Sequence, residues 1–118
     1  VNQGGDLILA AECREGLPDG SPLDKLLRSA NSPEEILAML ATPGFVRPEQ
    51  WQAQIQAIVQ RKANVYLKSE LPVEVTKRAY LEPCEDIEAF VNRRLTEIGP
   101  QARVAVLPQG PLTIPYLA

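Results

Sequence analysis

Histidine is missing from this 118-residue chain. That single absence removes both the commonest general base and the commonest transition-metal ligand. Cysteine is nearly missing as well: Cys13 and Cys84 stand alone without CxxC spacing. They read as two reduced thiols rather than a disulfide or a metal pair. Positive charge is in deficit, with 12 Lys and Arg against 15 Asp and Glu, a net charge of −3 and a pI near 5.0. A nucleic-acid binder usually shows a basic face, so DNA and RNA are excluded as partners. No apolar run approaches the roughly 20 residues of a membrane span, and the N-terminus lacks the charged, apolar and small-residue order of a signal peptide. The expectation is a cytoplasmic protein with no membrane contact. Phosphate-cradling glycine patterns are also lacking, since neither GxxxxGK nor GxGxxG occurs and Gly4–Gly5 precede a strand instead of following one.

What is present is an ordinary globular balance, 45% apolar and 23% charged residues, which predicts one domain over residues 1–118. Three short apolar segments, Leu7 to Ala11, Val65 to Lys68 and Val104 to Leu107, read as strands buried on both faces. Helical patterns separate them. Ser21-Pro22 and Ser32-Pro33-Glu34-Glu35 are start signals, with Leu23, Leu26, Leu27 and Ala30 on one face after the first and Ile36, Leu37 and Leu40 after the second. A third helix is predicted from near Pro48 to Lys62, a short one from Pro72, and a longer one over about Glu85 to Ile98 with Ile87, Val91, Leu95 and Ile98 inward. Strands alternating with helices predict an α/β fold, a small three-layer sandwich with a short, mainly parallel sheet flanked by helices in the Rossmann-like manner.

Such sheets place ligands beyond the carboxyl ends of their strands. That rule gathers three loops on one edge: Glu12 to Gly16, Ser69 to Pro72, and Pro108 to Pro111. Each alone is simply where a chain surfaces. A Cys13 nucleophile would need Glu12 or Glu15 as its base, so a small side chain filling a strand end is the better reading. Lys68 and Arg14 could meet a substrate carboxylate, although ordinary ion pairs are the default. On the third helix Trp51, Ile55, Ile58 and Val59 form one apolar stripe, with Gln52 on one flank and Gln54 on the other. Spacing alone favours Trp51 in the core beside a solvated Gln52. The alternative is an amide that donates to a carboxylate or hydroxyl while the indole shuts out water.

In order, Gly4-Gly5-Asp6 to Gly16, Trp51-Gln52-Ala53-Gln54, Val65 to Pro72 and Val104 to Gly110 resemble the C-terminal half of lactate racemase and its relatives over nearly the whole chain. The resemblance implies a racemase or epimerase of 2-hydroxy acids that works by hydride exchange with a nickel-pincer nucleotide, the pyridinium-3,5-bisthiocarboxylic acid mononucleotide of nickel. It also implies that the catalytic histidines, the nickel ligand and the lysine that tethers the cofactor lie upstream, so that no catalytic or metal-binding residue is carried over to this chain. The N-terminal domain of the same protein would then be the principal partner, a small 2-hydroxy acid the substrate, and a homo-oligomer is left open. Trp51 and Gln52 match the aromatic-glutamine pair that contacts substrate in the family, while Glu12, Arg14 and Gln54 fall at the cleft edge or interface. Lactate racemase has a lysine three positions beyond its glutamine. Here Ile55 stands in that place, a departure that points to a more apolar 2-hydroxy acid than lactate.

A start at Val1 without an initiator methionine fits an excised C-terminal domain. The rival reading is a non-catalytic α/β ligand-binding or interaction module, and a weaker third is a structural domain that only stabilises a partner or dimer. An exposed apolar patch on the Trp51 helix would suit either a missing domain or a dimer.

Overall fold

The structure, a computed structural model, describes residues 1–113. Two compact units divide the chain, Val1–Ile87 and Glu88–Ala118. In the first unit, three strands form a parallel open sheet in the order β1-β2-β3: β1 Gly5–Ala10, β2 Ala63–Lys68 and β3 Glu82–Pro83. Strand β1 lies on β2 from Gly5 opposite Ala63 to Ala10 opposite Lys68, and β3 adds only Glu82 and Pro83 opposite Tyr66 and Leu67. Helices α1 Pro22–Arg28, α2 Pro33–Leu40 and α3 Gln50–Lys62 connect β1 to β2, and α4 Val73–Arg78 connects β2 to β3. The α/β class with a parallel sheet is therefore what the chain adopts.

Local chemistry accounts for the helix starts. The hydroxyl of Ser21 accepts from the Asp24 N–H at 3.1 Å and that of Ser32 from the Glu35 N–H at 3.2 Å, with a proline at the first helical position each time. The carboxylate of Glu35 reaches one residue further back than a capping box requires, accepting from the backbone N–H of Asn31 at 2.8 Å. Leu26, Ile36, Ala53 and Ala57 make one buried cluster at the centre of α1 to α3.

Two expectations about the sheet are overturned. Ala63, Val65 and Leu67 are buried while Asn64 and Lys68 are exposed, so β2 is covered on one face and not on both. Strand β1 is at most half-buried, and Leu9 and Ala10 are exposed. The third predicted strand, Val104 to Leu107, is irregular chain with Val104, Val106 and Leu107 exposed. An apolar run makes a strand only where it finds a ladder partner. The edge position beside β2 is taken instead by Glu82–Pro83, and the Cys84 N–H donating to Leu67 O at 2.9 Å closes that ladder. A proline is tolerated there because an edge strand leaves one side unpaired.

The second unit carries nearly all of α5, Ile87–Ile98, followed by 3₁₀ turns at Gly99–Gln101 and Gly110–Leu112. The inward placement expected of Leu95 and Ile98 is corrected: no residue of α5 is buried, Ile87 and Val91 are half-buried, and Leu95 and Ile98 are exposed. No helix among the described residues is long and apolar enough to cross a membrane.

Candidate functional site

Helix α3 faces the core with its small and amide side chains and faces outward with its large apolar ones. Ala53 and Ala57 are buried to 1% and 2% exposure, which lets the helix backbone approach its neighbours closely. Gln56 and Gln60 flank them at helical spacing. The Gln56 amide donates to Ala79 O at 2.6 Å, and the Gln60 amide donates to Ala79 O at 3.1 Å and Tyr80 O at 2.7 Å. These bonds satisfy carbonyls at the end of α4 that would otherwise be costly to bury.

With that stripe turned inward, the opposite one must turn outward. Trp51 is 61% exposed, Ile55 56% and Ile58 53%, with Val59 beside them less so. The placement of Trp51 in the core is thus overturned by the residues two and six positions on, because two alanines and two bonded glutamines fill the inner face. Gln52 lies half-buried at the boundary next to Trp51, and Gln54 is fully on the outer side.

The start of α3 is pinned from outside the helix. Glu49, at φ 60, occupies the N-cap in a left-handed conformation and makes no side-chain cap. Its carboxylate accepts instead from the Leu23 N–H of α1 at 3.2 Å, while the Gln50 amide oxygen accepts from the Arg47 N–H at 2.8 Å. Glu49 therefore fixes where the first turn, and Trp51 with it, stands relative to α1. Sequence reading missed it, since the only signal is an acidic residue one place before a helix.

At the carboxyl ends of β1 and β2 the first two predicted loops do converge. The Ala11 N–H donates to Lys68 O at 3.0 Å and the Glu70 N–H to Glu12 O at 3.1 Å. The third loop, Pro108 to Pro111, follows no strand. Glu12 and Arg14 pair with each other, Nε to Oε2 at 2.9 Å and Nη2 to Oε1 at 3.1 Å, with both side chains mostly in solvent. An exposed pair of this kind contributes about 0–1 kcal/mol and leaves neither group free for a substrate without exchange. Lys68 donates from Nζ to Glu85 O at 2.6 Å, so its ammonium is engaged on backbone. Cys13 sits half-buried at φ 53, within a turn closed by the Gly16 N–H on Cys13 O at 2.8 Å. Among the described residues no hydrogen bond or ion pair joins this loop pair to Trp51, Gln52 or Gln54.

A buried carboxylate with two arginines lies elsewhere. Asp24, 1% exposed, accepts from the Gly20 N–H at 2.9 Å and from Arg28 Nε at 2.9 Å, and Arg78 of α4 stands 3.3 Å from its other oxygen. The Gly20 hydrogen bond, and after it the Arg28 guanidinium, hold its carboxyl below the ordinary aspartate value against the opposing effect of burial. Tyr80 moves the other way, its phenol raised mainly by burial and secondarily by Glu35. Both groups are structural ties: the Tyr80 hydroxyl stands 2.5 Å from Leu27 O and 2.6 Å from Ala30 O.

A metal fits poorly in this chain. It has no histidine, and among the described residues no three His, Cys, Asp or Glu side chains gather where they could hold an ion.

None of the curated proteins matches the sequence. The solved structure of the lactate racemase apoprotein from Thermoanaerobacterium thermosaccharolyticum is similar in fold, with a TM-score of 0.76 at 23% identity. The similar region covers 92% of this chain and 27% of that one, so this chain spans about a quarter of the neighbour's length. The family model described as the lactate racemase C-terminal domain matches residues 1–114, and the chain belongs to that family.

Proposed function

We propose that this chain is the C-terminal domain of a larger, two-domain 2-hydroxy-acid racemase or epimerase, and that it closes over the substrate cleft. The observation that carries the reading is the outward face of α3, where an exposed Trp51 adjoins a half-buried Gln52 in a domain of this family. The Gln52 amide can donate to a carboxylate or hydroxyl and accept from a hydroxyl in return. The indole of Trp51 supplies an apolar wall that excludes water once the cleft shuts. Ile55, one turn beyond Trp51 and on the same face, gives that wall an apolar extension. This supports a substrate whose side chain is more apolar than that of lactate.

The nickel-pincer nucleotide belongs, in this reading, to the N-terminal portion, because this chain has no histidine and its described residues bring no three His, Cys, Asp or Glu side chains together to hold the metal. Bound there, it would supply the hydride-accepting chemistry. The residues here orient the substrate and keep solvent out. Glu12, Arg14 and Gln54 sit at exposed positions consistent with a cleft edge or domain interface.

The test is the full-length natural product, matured with its cofactor. It should weigh well above 13.0 kDa, carry nickel and interconvert the enantiomers of at least one 2-hydroxy acid with an apolar side chain. Gln52→Ala should lower kcat/KM by about tenfold or more, the scale of one lost hydrogen bond to a charged group, without moving the unfolding midpoint. Failure to racemise any 2-hydroxy acid would sink the reading. A metal-free natural product of 13.0 kDa would point instead to a ligand-binding or interaction module.

A further inference from the structure

A cleft in the first unit lies between α1 and the segment that joins α2 to α3, with a volume of about 360 Å³. Its base is apolar: Leu26 is buried, and Met39 and Phe45 are half-buried against the core cluster. Pro22 and Pro48 stiffen two sides of it. Lys25 and Arg47 line it as well, both exposed, and no acidic side chain does. The Arg47 guanidinium stacks over the Phe45 ring at 4.8 Å and donates to Val46 O at 2.9 Å, so its charge is held in place over the apolar base. Among the described residues, neither Lys25 nor Arg47 has a carboxylate within ion-pair distance, although the chain carries more acidic than basic groups and most of its other arginines are paired.

We propose that this cleft binds a small organic acid with an apolar body, its hydrocarbon part on Leu26, Met39 and Phe45 and its carboxylate between Lys25 and Arg47. The volume falls at the small end of ligand pockets, about 300–1,000 Å³, which suits a free monocarboxylate better than a protein segment. The charges fix its sign. A carboxylate there meets two unpaired cations and no competing anion, whereas an amine would meet like charge on both sides. The inference does not rest on the racemase reading, because none of its residues belongs to the α3 outer face.

Backbone-amide NMR of the 118-residue chain titrated with hexanoate, hexanol and hexylamine tests it. Hexanoate should give saturable shifts at Ser29, Met39 and Phe45, with binding about fivefold tighter than hexanol, the scale of two exposed charge contacts. Lys25→Met with Arg47→Met should remove that difference, and Arg47→Lys should retain most of it, all three variants keeping the parent spectrum elsewhere. Equal binding of hexanol, tighter binding of hexylamine, the absence of saturation with any probe, or an unchanged hexanoate affinity in the double Met variant would each overturn the proposal.

Discussion

Asp24 shows how one buried carboxylate can organise three segments. It joins the Asp19–Gly20 turn, α1 through Arg28 and α4 through Arg78. Its proton affinity is lowered in the fold, so the tie contributes stability above the ordinary aspartate value of 3.8 and loses it as pH falls through the folded value. Asp24→Asn should therefore be less stable than the parent at neutral pH, with the difference shrinking once pH drops below about 3.8; urea unfolding midpoints of both proteins across the acid range measure it. A difference that stays constant with pH would remove the carboxylate as its cause. Tyr80 runs in the opposite direction. Its raised value means that stability present below its ordinary value of 10.0 is lost as pH rises through the folded one, and Tyr80→Phe should abolish that alkaline loss. Losing the phenol also removes the single O–H proton that the Leu27 and Ala30 carbonyls share, at about 1–3 kcal/mol at neutral pH.

At the scale of elements, α3 is the informative case. Its two stripes differ in what they should tolerate. Trp51→Ala and Ile58→Ala remove side chains more than half exposed and should change stability by less than about 0.5 kcal/mol, whereas Ala57→Leu forces bulk into a closed interface and should cost about 1–3 kcal/mol. Thermal or urea unfolding of the three variants decides between this orientation and one with Trp51 inside. The helix itself was legible from its spacing and from Lys62 to within two residues of its start. Its orientation was not, because hydrophobicity ranks Trp51, Ile55 and Ile58 above Ala53 and Ala57, while close backbone approach and the amide bonds of Gln56 and Gln60 select the alanines. The caps at Ser21 and Ser32 were legible because capping depends on neighbours three residues away. The one-sided burial of β2 was misread as burial on both faces, although Ala63, Val65 and Leu67 alternate with Asn64, Tyr66 and Lys68, because the apolar run at Val65 to Leu67 outweighed the polar residues on either side of it. Strand β3 was not legible, because two residues, one a proline, carry no pattern and owe their state entirely to Tyr66 and Leu67 alongside. Of the site residues, the positions of Glu12 and Arg14 after β1 followed from the strand rule, whereas Glu49 depends on a contact 26 residues away.

Across the whole molecule, burial is uneven. The first unit holds Ile36 at 1% exposure in a shared cluster, while α5 of the second buries no residue. Ile36→Ala should cost about 2–5 kcal/mol, measurable as a lowered unfolding midpoint. Amide exchange should be fast through Ile87–Ile98 and slow at Val65 and Leu67, since opening free energy follows buried apolar contact.

The Tyr80 phenol also constrains the order of assembly. Helix α1 has only seven residues, too few to persist alone, and the carbonyls at its end are met by a side chain about fifty positions downstream. A bond that spans so long a stretch of chain must wait for the intervening loop to close. Tyr80→Phe should therefore accelerate unfolding and leave the refolding rate nearly unchanged in stopped-flow kinetics, which would place the docking of Tyr80 on the end of α1 after the folding transition state.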